Sequence, residues 1–247
     1  MKKILLILFA LITFQINAQD LIKTRAGDVK ITPVLHGSLV LEIDGQTIFI
    51  DPYGGAEKFS GFSDADLILI TDIHGDHLHK STLEGLNTSE ATFIVPKAVA
   101  EQMEEIKGKE KKVINNGEKT TFNKIQIEAI PMYNLPEDEQ SRHTKGRGNG
   151  YILTIGDKKF YLSGDTEDIP EMRNLKNIDV AFICMNLPYT MDIQQAAEAT
   201  IAFTPSIVYP YHYRGQNGLS DVEEFKSIVE ESAKTVEVRL RNWYPEN

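Results

Sequence analysis

The 247-residue sequence is 41% hydrophobic and 25% charged, a globular balance with enough apolar side chains for a sizeable core. Its net charge of −10 repels phosphate backbones and argues against a nucleic-acid ligand. A single cysteine, Cys184, excludes any intramolecular disulfide, and its apolar setting marks it as a small core residue.

Taken in chain order, Lys2 and Lys3 precede an apolar run from Ile4 to Phe14, and Ala18 offers a small residue for cleavage. This pattern is expected of a secretory signal peptide over residues 1–18, because a membrane span needs roughly 20 apolar residues. The mature chain would then be periplasmic or secreted, free of the membrane, with a net charge of about −12 and one domain over residues 19–247. Strands are expected at Val29 to Val34, Ser38 to Ile43 and Thr47 to Asp51, with Asp44-Gly45 as a hairpin turn. Leu67 to Thr71 reads as a short strand buried on both faces. Helices at Ser81 to Leu86 and Lys97 to Ile106 flank an extended Thr92 to Val95.

A second β-rich block follows at Lys124 to Ile130, Tyr151 to Ile155 and Lys159 to Leu162. Strands at Val180 to Met185, Ser206 to Tyr211 and Val236 to Leu240 then alternate with helices at Ile193 to Phe203 and Asp221 to Glu231. Hairpins followed by strand–helix alternation, twice over, predict two sheets sandwiched by helices, an α/β architecture.

The chemistry concentrates at strand ends. Thr71-Asp72-Ile73-His74-Gly75-Asp76-His77-Leu78-His79 carries three of the six histidines directly after a buried strand. In extended chain Asp72 and His74 point to one side, and a helical turn would bring His77 over His74. Imidazole and carboxylate together suit zinc, iron or manganese better than calcium or magnesium. Ser163-Gly164-Asp165-Thr166 ends a second apolar strand in a carboxylate, and Pro210-Tyr211-His212 ends a third in a histidine.

These segments resemble the metallo-β-lactamase superfamily, and within it the branch of the ascorbate-6-phosphate lactonases and related zinc-dependent hydrolases. His36-Gly37-Ser38, the strand running into Asp51-Pro52, and Tyr189-Thr190-Met191 before a helix share in the likeness, which spans about Thr32 to Arg214. The resemblance implies a four-layer αβ/βα sandwich, two mixed β-sheets flanked by helices, with one or two metals, zinc or else manganese or iron, where the sheets meet. It would make His74 a ligand of a first metal, Asp76, His77 and His212 ligands of a second, and Asp165 the bridge. Asp51 would hydrogen-bond to a ligand, and His36 either supports the site or is a core histidine.

Two departures stand out. The motif normally begins with histidine where this chain has Asp72, a harder and charged ligand that would shift metal preference or weaken the first site. The family's next histidine is expected near Tyr133-Asn134, so Asn134 would support rather than ligate, while His143 either replaces the missing ligand or meets substrate. The expected activity is hydrolysis of a small anionic ester, lactone or phosphoester by a metal-bound hydroxide, with Asp76 orienting water or moving a proton. Arg142, Arg147, Arg214 and Tyr189 are candidates for holding the anion, with Lys145, Tyr133 and Tyr213 nearby in sequence. The competing expectation is a metal- or ligand-binding protein without turnover, its first site degraded. Oligomeric state and the bond cleaved are not legible.

Overall fold

In the computed structural model, residues 20–245 are described, and the expected leader at residues 1–18 lies outside them. Strands β1 (Asp20–Thr24), β2 (Gly27–Leu35), β3 (Ser38–Ile43) and β4 (Gln46–Ile50) form an antiparallel meander. Asp44 and Gly45 both take positive φ, 49° and 74°, which is the hairpin conformation that an Asp-Gly pair favours. Parallel strands β5 (Leu67–Leu69), β6 (Thr92–Val95) and β7 (Glu110–Val113) extend the sheet, with helices α1 (Lys80–Gly85) and α2 (Lys97–Ala100) in the crossovers.

The second half repeats the plan. Strands β8 (Lys119–Phe122), β9 (Ile125–Met132), β10 (Gly148–Ile155) and β11 (Lys158–Leu162) are antiparallel. Helix α3 (Pro170–Arg173) leads to β12 (Val180–Cys184), α4 (Ile193–Phe203) and β13 (Ile207–Tyr211). A small hairpin of β14 (Arg214–Gly215) and β15 (Gly218–Leu219), helix α5 (Val222–Ser232) and β16 (Glu237–Val238) complete the chain. Each of the two mixed sheets has seven strands, ordered β1-β2-β3-β4-β5-β6-β7 and β16-β13-β12-β11-β10-β9-β8.

Alternation within the strands builds the layers. Leu39, Leu41, Ile48, Ile50, Leu67, Leu69 and Ile94 join the cluster that also holds Ile127, Tyr151, Leu153 and Leu162 of the facing sheet. Their neighbours Val40, Phe49, Ile68, Phe93 and Val95 point the other way and pack with Leu83 of α1 and Val99 of α2. Tyr151 ties the sheets together through its hydroxyl, which donates to the Ile70 carbonyl at 2.8 Å. Helix α4 starts on a capping box. The Asp192 carboxylate accepts from the Gln195 backbone N–H at 2.7 Å, and the Gln195 side chain accepts from Asp192 N–H at 3.0 Å. Trp243, fully buried, donates its indole N–H to the Ser38 carbonyl and so brings the C-terminal segment back to β3.

The expected bounds of β3, β6 and α4 coincide with the observed ones. The expected helix to Ile106 ends at Ala100 instead, and turns carry the chain onward. Val99, Met103 and Ile106 still bury in one cluster, so turns can reproduce helical spacing without a helix. The expected strand from Val236 to Leu240 pairs only over Glu237–Val238. Strands β1, β7 and β8 escape sequence reading because they lie at or next to sheet edges and are rich in lysine, glutamate and threonine.

Strand β12 is buried along its whole length, and Phe182 stacks on Tyr209 with centroids 5.2 Å apart. Phe182→Ala is expected to lower unfolding free energy by about 3–5 kcal/mol. Urea denaturation followed by circular dichroism measures it, and an unchanged midpoint would contradict this packing.

Candidate metal centre

Each half of the sandwich delivers its polar residues from strand C-terminal ends. After β5 the chain reaches Asp72 and closes one helical turn, in which the backbone N–H groups of His77 and Leu78 both donate to the His74 carbonyl, at 2.9 and 2.8 Å. The two rings leave this turn toward different partners, His74 facing His143 with centroids 5.0 Å apart and His77 facing His212 at 5.1 Å. Asp51, just past β4, is fully buried and accepts three hydrogen bonds. They come from Thr71 N–H at 2.7 Å, the Thr71 hydroxyl at 2.6 Å and His77 Nδ1 at 2.8 Å. With Nδ1–H committed to Asp51, His77 turns Nε2 toward the centre.

Asp165 follows β11 after a Ser163-Gly164 turn. Gly164 has φ of +61°, where a side chain is strained, and a Cβ there would fall 2.6 Å from the Met132 sulfur, so the turn favours glycine. His212 ends β13 with φ of 45°, its N–H on the His36 carbonyl. His36 and Asp51 also lie in the left-handed region, at 52° and 43°. Such conformations cost of order 1–3 kcal/mol each, and three of the described non-glycine residues that adopt them lie around this one centre. His143 arrives from the loop between β9 and β10. Asn134 Oδ1 accepts from both His143 N–H, at 2.8 Å, and Nδ1, at 3.1 Å. Asn134 is itself fixed by donating to Glu167 Oε1 and the Tyr189 carbonyl. Asn134 thus takes a supporting place, and His143 Nε2 faces inward.

The functional side chains close on Asp165. His77 Nε2 and His143 Nε2 lie 3.4 and 3.3 Å from Asp165 Oδ2, and His212 Nε2 lies 3.4 Å from Oδ1. The ligand atoms of Asp72, His74 and His143 fall within 4.8 Å of one another, as do those of His77, Asp165 and His212, and of His36, Asp76 and His212. His74 Nδ1, the Nε2 atoms of His77, His143 and His212, and Asp165 Oδ1 are all buried without an aligned hydrogen-bond partner. Leaving one buried polar atom unpaired costs about 1–3 kcal/mol, so five at one spot need a shared partner. A divalent cation bound by nitrogen and oxygen donors satisfies them, and the residues present fit one.

Buried carboxylates and imidazoles shift one another's titration. Burial favours a neutral Asp165, yet the charges of His212 and His77 hold its carboxyl well below the usual range. Burial works against charging His77, but Asp165 and Asp51 raise its pKa well above 6.5. Metal must displace that proton, so apparent affinity rises with pH. His36 moves the other way, down to about 4, through burial and then the neighbouring His212.

The arginines divide. Arg147, expected on substrate, grips Asp72 through Nε–Oδ1 at 3.2 Å and Nη2–Oδ2 at 3.1 Å. Arg142 lies 4.4 Å over the Tyr189 ring, and Arg214 lies 4.8 Å over the Tyr244 ring. Lys145 is drawn away by Glu137 and Glu171. Sequence reading overlooked three supports: Thr71, whose hydroxyl meets Asp51; Glu167, which orients Asn134; and Tyr244, 3.2 Å from His36 Nδ1. Glu167 lies two residues past Asp165 in the same turn, a readable signal, whereas Tyr244 arrives from 208 residues away.

Fold and centre together define a metallo-β-lactamase-type enzyme, and residues 30–212 match the beta-lactamase superfamily domain. A UPF0173 metal-dependent hydrolase of Pyrococcus abyssi is 31% identical over 84% of this chain and 95% of its own length. One from Enterococcus faecalis is 32% identical over 72% of this chain and 84% of its own. Among solved structures, a protein of Parabacteroides distasonis assigned to the metal-dependent hydrolases is 39% identical. It superposes with a TM-score of 0.80 over 90% of this chain and 97% of that one. The metallo hydrolase Igni18 of Ignicoccus hospitalis is 28% identical with a TM-score of 0.73, over 87% and 95%. The chain belongs to the UPF0173 metal-dependent hydrolases of the beta-lactamase superfamily.

Asp51→Ala is expected to free the His77 ring and weaken metal binding by 10–100-fold, as removal of a ligand's carboxylate partner typically does. Zinc titration against a chromophoric chelator measures this, and wild-type affinity in the variant would contradict the role given to Asp51.

Proposed function

We propose that this chain hydrolyses a small anionic ester, lactone or phosphoester at a centre of one or two zinc ions. In this reading Asp72, His74 and His143 hold one ion, Asp76, His77 and His212 hold the other, and Asp165 is shared. The observation that carries it is the set of buried, unpartnered imidazole nitrogens gathered around Asp165. Four imidazoles with carboxylates suit zinc, with iron or manganese as substitutes. When bound, such an ion brings the pKa of water down to roughly 7 and polarises the bond under attack.

The chain's own residues supply the rest. The Asp76 side chain is 32% exposed against 4% for Asp165, so Asp76 is the carboxylate that reaches the opening. It orients water and takes up a proton there. His36, neutral at pH 7 because its pKa is about 4, offers a ring nitrogen beside Asp76 and His212 without adding charge. Arg142 and Arg214 have no carboxylate partner among the described residues, and each lies on a tyrosine ring near the ligand loops. A guanidinium without a carboxylate partner in so acidic a chain favours an anionic substrate. A leader at residues 1–18 would place this activity in the periplasm or outside the cell.

Asp76→Ala and His77→Ala are each expected to remove bound metal and turnover of chromogenic esters and phosphodiesters together. Full turnover by a metal-depleted variant would sink the mechanism. Arg142→Ala and Arg214→Ala should raise KM for an anionic substrate by about 10–100-fold with little change in kcat, as loss of a charge-assisted hydrogen bond does. A fall in kcat at constant KM would remove both from substrate binding.

A further inference from the structure

Arg147 spends its fork on a residue of the centre itself. Asp72 is fully buried, and both of its oxygens are engaged, Oδ1 by Arg147 Nε and Oδ2 by Arg147 Nη2. A second Nη2 contact, to the Arg142 carbonyl at 2.6 Å, fixes the guanidinium in place. The same Oδ2 faces His74 Nδ1 at 2.6 Å and His143 Nε2 at 3.9 Å. A carboxylate has about four lone-pair sites, and a bidentate guanidinium occupies one on each oxygen. Whatever cation His74 and His143 receive must therefore share Asp72 with a fixed positive charge.

The other half of the centre is built differently. Asp76 has no guanidinium or ammonium partner among the described residues, and its carboxylate faces His212 Nε2 at 3.3 Å. His77 is locked by Asp51 and backed by Thr71. Both halves share Asp165, so the asymmetry comes from Asp72 and its partner.

We propose that Arg147 is a positioning residue that withholds Asp72 from the cation at His74 and His143, making that ion the weakly held, exchangeable member of the pair. This rests on the two-ion reading above and assigns the cause of the asymmetry to one side chain. An Asp–Arg pair is net neutral, as an imidazole is, so the pair matches a histidine in charge while its carboxylate keeps only about half of a free carboxylate's lone pairs for metal. Removing the guanidinium returns a buried, uncompensated carboxylate to the centre, and a divalent cation is then its best partner.

The test is zinc binding to the metal-stripped protein by isothermal and chelator-competition titration, with no turnover required. Wild type should show one tight and one weak step. Arg147→Met should tighten the weak step at least tenfold and leave the tight one unchanged, and Arg147→Lys, which keeps charge but loses the fork, should fall between. In an Asp72→Ala background, Arg147→Met should change neither step more than about threefold, because the effect passes through Asp72. A weak step that is unmoved or weakened by Arg147→Met overturns the inference while the metal centre stands. Absence of zinc uptake at both steps overturns the two-ion reading and this inference with it.

Discussion

Three imidazole nitrogens lie 3.3–3.4 Å from one buried carboxylate, Asp165, and none is aligned to hydrogen-bond to it. Much else in the molecule follows from keeping that arrangement in place. Aligned hydrogen bonds would satisfy these groups internally; near misses around a common point leave them dependent on a cation. The fold supplies rigidity through strand ends. Asp51, Asp165 and His212 each leave a buried strand within three residues, so the sheet hydrogen bonding fixes where each of them starts. Strained backbone at His36, Asp51 and His212 is tolerated because the packed sheets over-determine it.

The supporting groups show a division of labour between the halves of the sandwich. On one side Asp51 and Thr71 set the tautomer of His77. On the other, Asn134 grips both the backbone and the ring of His143, so a side chain carried on a long loop is held nearly as firmly as one on a strand. Asn134 and His143 thereby form one unit, in which the residue at the strand end holds the ring that faces the centre. Asp72 with Arg147 forms a second such unit. Both pairs sit on the His74 side of the centre, the side where sequence departs from the superfamily pattern.

Most of this was legible in the sequence, for physical reasons that can be named. Ser38–Ile43 and Thr92–Val95 give strand bounds because both faces of these strands are buried, which demands short, nearly continuous apolar runs. The helix expected from Ile193 to Phe203 is α4, whose start the structure fixes with the capping box of Asp192 and Gln195. His74, Asp76, His77, Asp165 and His212 stand out because they follow apolar strands, where ligands are normally mounted. What sequence could not supply is partnership across space. Arg147 read as a free anion-binding arginine, since nothing local shows that it meets Asp72, 75 residues away. Tyr244 gave no signal at all, and reaches His36 only because Trp243 anchors the C-terminal segment against Ser38. Short polar strands β1, β7 and β8 were invisible because their pairing comes from neighbours rather than from their own side chains.

The most direct measurement of the central claim is metal content by plasma mass spectrometry on protein purified without added metal, repeated after equilibration with zinc and gel filtration. The account predicts at least one tightly held divalent ion per chain as purified, rising toward two with zinc. Protein that carries no stoichiometric transition metal before or after zinc loading, while remaining folded, would contradict it.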